Sequence, residues 1–457
     1  MLKERSSRCA IALALWVGIA QPGANASTND HVILITIDGL AAYYLSDPQA
    51  PLTTLRRLAA EGASAEALRV SNPSTTWPNH TTLITGVSPA RHSVLFNGRL
   101  VRQGSGQPVR IEGDRNQNQL IAVPTLYDRL HGLGYRTAAV NWPGTRAAST
   151  LDDNWPDTPD AIPSMTPRLR AELVRDKILN NRSDSADLGA KAAAQDQAWC
   201  AAAIHLLQAR PPNLLLLHLL STDVIQHRHG PQSPEAYAAL ANADARIADL
   251  VHALDAIDLR NHTTLVLASD HGFEKPSWLI SPNVLLRKAG LLRPGPRRRA
   301  QSISEGGVAF VYLTNPASAK EDREKVIALL SGVEGIEHII EPPHYAELGL
   351  PAPTTNPQSG DLLLVAKPGY AFSDEFFDDD TLTPIPIPLG SHGYLATDPR
   401  MNGILVFWGR GIRPGARLRS VDNRDVAPTI GALLGNQLPE TEGRVLREIL
   451  LEAQVAK

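Results

Sequence analysis

The stretch HVILITIDG, residues 31–39, is a short apolar run that stops at an aspartate and a glycine. Its apolar residues are continuous rather than alternating, a pattern typical of a strand that is buried on both faces. Such strands occur in parallel sheets that helices cover on both sides. The stretch therefore predicts a strand of an α/β fold, with Asp38 at the carboxyl end of that strand.

Two later stretches repeat this arrangement. Residues 213–220 (NLLLLHLL) lead into Asp223, and residues 263–268 (TTLVLA) lead into Asp270. Helix-like segments lie between the runs, at residues 52–63, 123–133 and 234–257. Alternating strands and helices predict an open α/β fold, in which polar residues at the carboxyl ends of the strands meet in one crevice.

Three aspartates and three histidines gather at these strand ends and in one glycine-flanked loop: Asp38, Asp223, His227, Asp270, His271 and His392. Asp223 and His227 are four residues apart and share a face if that stretch is helical. Oxygen and nitrogen ligands of this kind suit Zn²⁺ or a similar divalent ion, and six of them are about right for two ions. For any single aspartate, the alternative is a cap on the helix that follows.

The segment 72–86 (NPSTTWPNHTTLITG) has the pattern of a loop that enters a helix, with Pro78 near the first turn. Two roles are open for Thr76. It is either the N-cap of that helix or a nucleophile whose hydroxyl lies at a helix N-terminus beside a metal ion. The helix end would also attract an anionic phosphoryl group.

The overall composition is that of an ordinary globular protein. The chain has 457 residues, 44 Lys and Arg against 47 Asp and Glu, and a formal net charge of −3. This balance excludes a nucleic-acid binder built on overall basicity, so we expect no nucleic-acid-binding surface.

The first 26 residues have the layout of a secretory signal peptide. A basic start is followed by 12 apolar residues at 9–20 and by a small-x-small site that ends at Ala26. The alternative is an uncleaved anchor, but a span needs roughly 20 apolar residues. We therefore expect cleavage near Ala26, a periplasmic or secreted protein, no membrane span in the mature chain, and one catalytic domain over residues 27–457.

Five motifs occur in an order that resembles the alkaline phosphatase superfamily, and more narrowly its nucleotide pyrophosphatase/phosphodiesterase branch in a compact bacterial single-domain form. They are IDG at 37–39, PSTTWPNH at 73–80, TDVIQHRHGP at 222–231, SDHG at 269–272 and SHGY at 391–394. The resemblance implies a mostly parallel central sheet flanked by helices. It also implies a smaller inserted α+β subdomain at about residues 275–389.

The same resemblance implies a site with two Zn²⁺ ions and a phosphothreonine intermediate. One ion would be held by Asp223, His227 and His392, and the other by Asp38, Asp270 and His271 together with the nucleophile Thr76. Asn97 matches the family asparagine that donates to a phosphoryl oxygen, and Asn141-Trp142-Pro143-Gly144 is similar to an aromatic turn beside the substrate pocket. His80, His92 and His229 are not family ligands, and we expect them in a helix, in a loop and behind the ligands, respectively.

The implied activity is hydrolysis of phosphodiester or pyrophosphate bonds in a small molecule such as a nucleotide or a lipid head group. A phosphomonoesterase or phosphonate hydrolase would use the same metals and nucleophile, and it remains the alternative enzyme. The absence of an arginine to clamp a phosphate dianion favours the diesterase. A metal-binding protein without turnover is a further alternative. The sequence does not indicate an oligomeric state.

Overall fold

The computed structural model describes residues 30–179, 188–293, 295 and 297–452, and the predicted signal peptide lies outside them. The strands of the described residues are β1 (His31–Ile37), β2 (Ala63–Arg69), β3 (Arg99–Arg102), β4 (Val109–Glu112), β5 (Thr137–Pro143), β6 (Asp153–Asp157), β7 (Leu214–Leu219), β8 (Thr263–Ala268), β9 (Trp278–Ile280), β10 (Ala300–Ser304), β11 (Val308–Leu313), β12 (Ile336–Ile340), β13 (Leu362–Ala366), β14 (Tyr370–Phe372), β15 (Leu382–Pro384), β16 (Gly403–Gly409) and β17 (Arg417–Asp422). The helices are α1 (Tyr43–Ser46), α2 (Thr53–Glu61), α3 (Thr76–Thr85), α4 (Pro89–His92), α5 (Gln117–Leu120), α6 (Leu126–Gly132), α7 (Pro167–Arg175), α8 (Leu188–Ala209), α9 (Ser221–His229), α10 (Pro234–Ala256), α11 (Pro282–Lys288), α12 (Ala319–Leu330) and α13 (Val426–Leu433).

Eight strands form the central sheet, in the order β17-β2-β16-β8-β1-β7-β5-β6. Strand β1 pairs in parallel with both β7 and β8, and only β16 runs antiparallel to its neighbours. The mostly parallel α/β fold predicted from the sequence is therefore confirmed. Because β7, β1 and β8 are adjacent and parallel, the residues that follow them meet at one edge of the sheet.

The core explains why these strands are continuous apolar runs. Ile33, Ile35 and Ile37 of β1 pack on one face of the sheet with side chains of α2, α7, α8 and α10. Val32 and Leu34 pack on the other face with side chains of α3, α6 and α13. Each of these five side chains is at most 1% exposed, so both faces of the strand are dry.

Two smaller sheets lie within the segment expected to be an inserted subdomain. One is antiparallel, in the order β10-β11-β13-β12, and the other has three strands in the order β14-β9-β15. The turn between β10 and β11 reaches the edge of the large sheet where β7, β1 and β8 end, and the backbone N–H of Gly307 there donates to the carbonyl of His392 at 2.8 Å. That the segment at about residues 275–389 forms a separate inserted subdomain stays a prediction.

None of the described helices combines the length and the apolar character that a membrane crossing requires.

Candidate active site

The structure brings the six predicted ligands together as two groups of three. The first cluster consists of Asp223, His227 and His392, and the second cluster consists of Asp38, Asp270 and His271. In each cluster, one nitrogen or oxygen atom of every residue lies within 4.8 Å of the corresponding atoms of the other two. The imidazole rings of His271 and His392 stack at 3.8 Å with an interplanar angle of 16°, so the two clusters are in direct contact.

The second cluster is built on strand ends. Asp38 follows β1 directly, and Asp270 comes two residues after β8. Gly39 turns the chain with a φ of 66°, and a Cβ atom there would lie 2.4 Å from the ring of Phe273. The Gly39 N–H donates to Asp270 Oδ1 at 3.1 Å, which leaves Oδ2 of that carboxylate facing His271.

The first cluster depends on helix α9. Asp223 and His227 lie one turn apart on this helix, with Asp223 Oδ1 at 3.3 Å from His227 Nε2. The start of α9 has no cap of its own, because its N-cap residue is Leu220. Asp196 of α8 supplies the missing acceptor: its fully buried carboxylate accepts hydrogen bonds from the backbone N–H of Leu220 at 2.8 Å and from Ser221.

All three ligand histidines are oriented in the same way. The Nδ1 atoms of His227, His271 and His392 each lie 3.1 Å from a backbone carbonyl, those of Gly390, Gly272 and Ser74, respectively. A carbonyl accepts only from a protonated nitrogen, so each ring keeps its Nε2 as a lone-pair donor. This is the orientation that metal-binding histidines use.

The cluster atoms that face one another are the atoms a metal ion would satisfy. Asp38 Oδ1, Asp223 Oδ1, Asp270 Oδ2 and His271 Nε2 are buried and have no hydrogen-bond partner in the described part of the chain. An unsatisfied buried polar atom costs roughly 1–3 kcal/mol, and more when it is charged. Four such atoms pointing into two small spaces fit a pair of divalent cations.

Repulsion between the carboxylates of the second cluster also favours a bound cation. Burial, and after it the nearby charge of Asp38, raise the pKa of Asp270 to about 8. Two carboxylates in one dry space disfavour each other's ionised form. A bound cation would remove that repulsion.

Thr76 is the first residue of α3, and backbone carbonyls at this point of the chain lead toward both clusters. The N-cap of α3 is Thr75, so the alternative role of Thr76 as an N-cap is wrong. On one side, the carbonyl of Ser74 contacts His392. On the other side, the Thr76 carbonyl lies 2.9 Å from Nδ1 of His80, and this nitrogen is 3.5 Å from Asp270 Oδ2.

Asn97 reaches the same helix start. Its Oδ1 accepts a hydrogen bond of 2.9 Å from the backbone N–H of Trp77, the residue after Thr76. Asn97 is exposed, and no contact to its side-chain NH₂ group occurs among the described residues. That group is available to a ligand beside Thr76.

A cavity of about 540 Å³ adjoins this site. Its walls include the buried, edge-to-face rings of Trp155 and Trp199, and its polar groups include Asn141 and Asp157. Asp157 accepts a hydrogen bond of 3.2 Å from the indole of Trp77, and burial raises the pKa of its carboxyl. Of the four residues expected to form an aromatic turn beside the substrate pocket, Asn141 lines this cavity, whereas Trp142 is fully buried within β5. That the cavity receives the substrate stays a prediction.

The expectation that His80 lies in a helix is confirmed by α3, those for His92 and His229 are wrong, and His218 was missed. His92 is the last residue of α4 and does not lie in a loop. His229 is exposed at the end of α9 and does not lie behind the ligands. His80 does lie behind them, fully buried. His218, inside β7, went unnoticed although its Nε2 is 3.0 Å from Asp38 Oδ2. A lone histidine in an otherwise apolar buried strand needs a partner, and that signal was present in the sequence.

The chain is similar to known phosphodiesterases in sequence and to a solved structure in fold. Over 247 residues the chain is 25% identical to venom phosphodiesterase 2 of Crotalus adamanteus, which covers 54% of this chain and 27% of that protein. It is 24% identical over 256 residues to ectonucleotide pyrophosphatase/phosphodiesterase family member 3 of Rattus norvegicus, covering 54% of this chain and 25% of the relative. The chain thus spans about a quarter of the length of these relatives.

Murine ectonucleotide pyrophosphatase/phosphodiesterase 5 has the same fold, with a TM-score of 0.70 at 18% identity over 92% of this chain and 100% of that one. The sequence family described as type I phosphodiesterase / nucleotide pyrophosphatase matches residues 32–395, which is most of the chain. The protein therefore belongs to the type I phosphodiesterase / nucleotide pyrophosphatase family, a branch of the alkaline phosphatase superfamily.

Proposed function

We propose that this protein is a zinc-dependent hydrolase of phosphodiester and pyrophosphate bonds that works through a phosphothreonine on Thr76. The observation that carries the proposal is that two clusters of potential metal ligands contact each other near the start of α3, where Thr76 lies. Family membership supports the reaction class, because curated relatives are named phosphodiesterases and nucleotide pyrophosphatases.

Two Zn²⁺ ions, when bound by the first and second clusters, would neutralise charge on the phosphoryl group and stabilise the leaving oxygen. The chain itself supplies the nucleophile. Thr76 gives its hydroxyl proton to solvent and its Oγ1 attacks phosphorus, while the bond from phosphorus to the leaving oxygen breaks. An alcohol leaving group takes a proton from solvent, whereas a phosphate leaving group departs as the anion. A water oxygen then attacks phosphorus, the bond to Oγ1 breaks, and one proton of that water passes to Oγ1.

Asn97 donates to a phosphoryl oxygen in this proposal. The bond from Trp77 holds its Oδ1, so the NH₂ group is presented to the substrate without a search over amide orientations. A diester monoanion carries less charge on its non-bridging oxygens than a monoester dianion. One neutral donor beside two cations therefore suits the diester, whereas a dianion gains more from a fixed guanidinium.

The organic group of the diester would occupy the cavity next to Asn141. Its walls are mainly apolar and aromatic, with a few polar groups at defined places, as in most small-molecule sites. Both a nucleoside and a lipid head group fit this description. The substrate class we propose is accordingly a small phosphodiester of either kind.

The decisive experiment compares kcat/KM of the zinc-loaded protein on a nitrophenyl phosphodiester and on a nitrophenyl phosphomonoester. We expect the diester to have the higher kcat/KM. A preference for the monoester would favour the phosphomonoesterase alternative on the same site. No zinc-dependent turnover of either substrate would favour a metal-binding protein without catalysis.

The N-terminal pattern supports a second part of the proposal, namely export to the periplasm or secretion. N-terminal sequencing of the protein recovered outside the cytoplasm should begin at Ser27 if cleavage follows Ala26. Recovery of the uncleaved chain in the cytoplasm would contradict this.

A further inference from the structure

We propose that His218 is a positioning residue that fixes Asp38 as a one-oxygen metal ligand, and this inference rests on the zinc site proposed above. His218 lies in β7, the parallel neighbour of β1, which Asp38 follows directly. Its side chain is fully buried. It occupies no position in the two clusters themselves, so its role would be exerted through Asp38.

The two oxygens of Asp38 have different surroundings. Oδ2 lies 3.0 Å from His218 Nε2, whereas Oδ1 lies 3.2 Å from His271 Nε2 and has no hydrogen-bond partner. A carboxylate that is free to rotate can bind a cation with either oxygen or with both. His218 donates from Nε2 to Oδ2, and because its Nδ1 also lies against the Asn141 carbonyl, it does so as the imidazolium that is protonated at both nitrogens. Oδ1 is left as the oxygen directed into the second cluster.

His218 is itself held from the other side. Its Nδ1 lies 3.1 Å from the backbone carbonyl of Asn141, and the Asn141 side-chain NH₂ donates back to the His218 carbonyl at 3.2 Å. Asn141 has a φ of 55°, a left-handed conformation that asparagine tolerates better than most residues. Contacts at both ring nitrogens thus fix the orientation of the imidazole and direct Nε2 toward Asp38.

Two substitutions separate the functions of the two ring nitrogens. The amide of glutamine reaches the place of Nε2, so His218→Gln keeps a donor to Asp38 and loses the contact to Asn141. The shorter amide of asparagine occupies the place of Nδ1, so His218→Asn keeps the contact to Asn141 and loses the donor to Asp38. A role in packing alone predicts similar effects for both variants.

The matched control is His92, which is also fully buried and is bonded at both nitrogens, to Thr82 Oγ1 at 3.0 Å and to the Val94 N–H at 3.2 Å. It contacts none of the six cluster residues. His92→Asn therefore imposes a comparable disturbance of the interior and should leave both zinc affinities unchanged.

The experiment measures zinc binding, by competition with a chromophoric chelator, to the metal-free full chain of wild type and of the three variants, with circular dichroism as the check on folding. We expect two zinc ions per wild-type chain, and a loss of about 10–100-fold in one of the two affinities in His218→Asn. His218→Gln should keep both affinities near those of the wild type.

Unchanged zinc affinities in His218→Asn would overturn the inference, and so would an equal loss in His218→Gln. Should His218→Asn fail to fold, His218→Gln decides the matter alone, because it must retain both affinities. A wild-type chain that binds fewer than two zinc ions would instead refute the proposed metal site, so the two failures are distinguishable.

Discussion

The backbone N–H of Trp77 donates a hydrogen bond of 2.9 Å to Oδ1 of Asn97. This N–H belongs to the first turn of α3, where helices normally leave donors free for an anion. Pro78, the next residue, has no N–H to offer. The start of α3 is therefore poorer in backbone donors than its position suggests, and in the proposed reaction the Asn97 side chain serves as the donor beside Thr76.

Replacing this donor should slow catalysis without emptying the site. We expect Asn97→Ala to lower diester kcat/KM by about 10²–10³, the usual effect of losing one preorganised donor to developing charge. Zinc content should not change, because Asn97 belongs to neither cluster. Diester rates equal to those of the wild type would show that another group donates to the phosphoryl oxygen.

Loss of the nucleophile should be more severe. Thr76→Ala should abolish nearly all turnover while the protein retains zinc through the six cluster residues, and Thr76→Ser should keep measurable activity because it restores a hydroxyl. The control is Thr81→Ala on the same helix, which removes only a local bond to the Trp77 carbonyl. Near wild-type rates in Thr76→Ala would mean that water attacks phosphorus directly.

Metal removal should affect both activity and stability. Chelation is expected to abolish diester hydrolysis, and added Zn²⁺ to restore it, with about two ions per chain by elemental analysis. Because zinc binds the folded clusters, saturation at 100 times the dissociation constant should raise the free energy of unfolding by about 2.7 kcal/mol for each ion. Active enzyme with one ion or none would rule out the two-metal site.

Loss of the Asp196 carboxylate should weaken metal binding by the first cluster, although Asp196 contacts none of the three residues of that cluster. Asp196→Ala leaves the N–H groups at the start of α9 buried and unsatisfied, which should lower the free energy of unfolding by about 2–4 kcal/mol. It should also weaken the zinc ion held by Asp223 and His227 more than the other ion. Asp196→Asn keeps an acceptor and should retain most of both properties. Equal weakening of both ions would indicate a general loss of structure.

The strands and the ligands could be predicted because their signals are local. Strands β1 and β8 have the boundaries that their apolar runs predict, and five motifs place the cluster residues. Capping details were harder to predict. The helix expected from residue 123 begins at Leu126, since Thr125 caps it and the Asp128 side chain accepts from the Thr125 N–H in return. The same one-residue ambiguity left an N-cap role open for Thr76, whereas the N-cap is Thr75.

What the sequence could not show is pairing across the sheet. His218 and Asp38 are 180 residues apart, and only the parallel register of β1 and β7 places them together. Within its own stretch His218 is one polar residue in a leucine run. The contact that gives it a role is therefore a property of the assembled sheet.

The contact between His392 Nδ1 and the Ser74 carbonyl joins positions 318 residues apart. During synthesis the chain supplies Asp38 first and His392 last of the six cluster residues, so a growing chain lacks a complete first cluster until almost all of it has been made. If two ions bind as proposed, the second cluster has its three residues once His271 has been made, whereas the first is complete only with His392. The choice among competing ions for the first cluster would then be made in the compartment where folding finishes. An exported protein of this design would take its zinc from outside the cytoplasm.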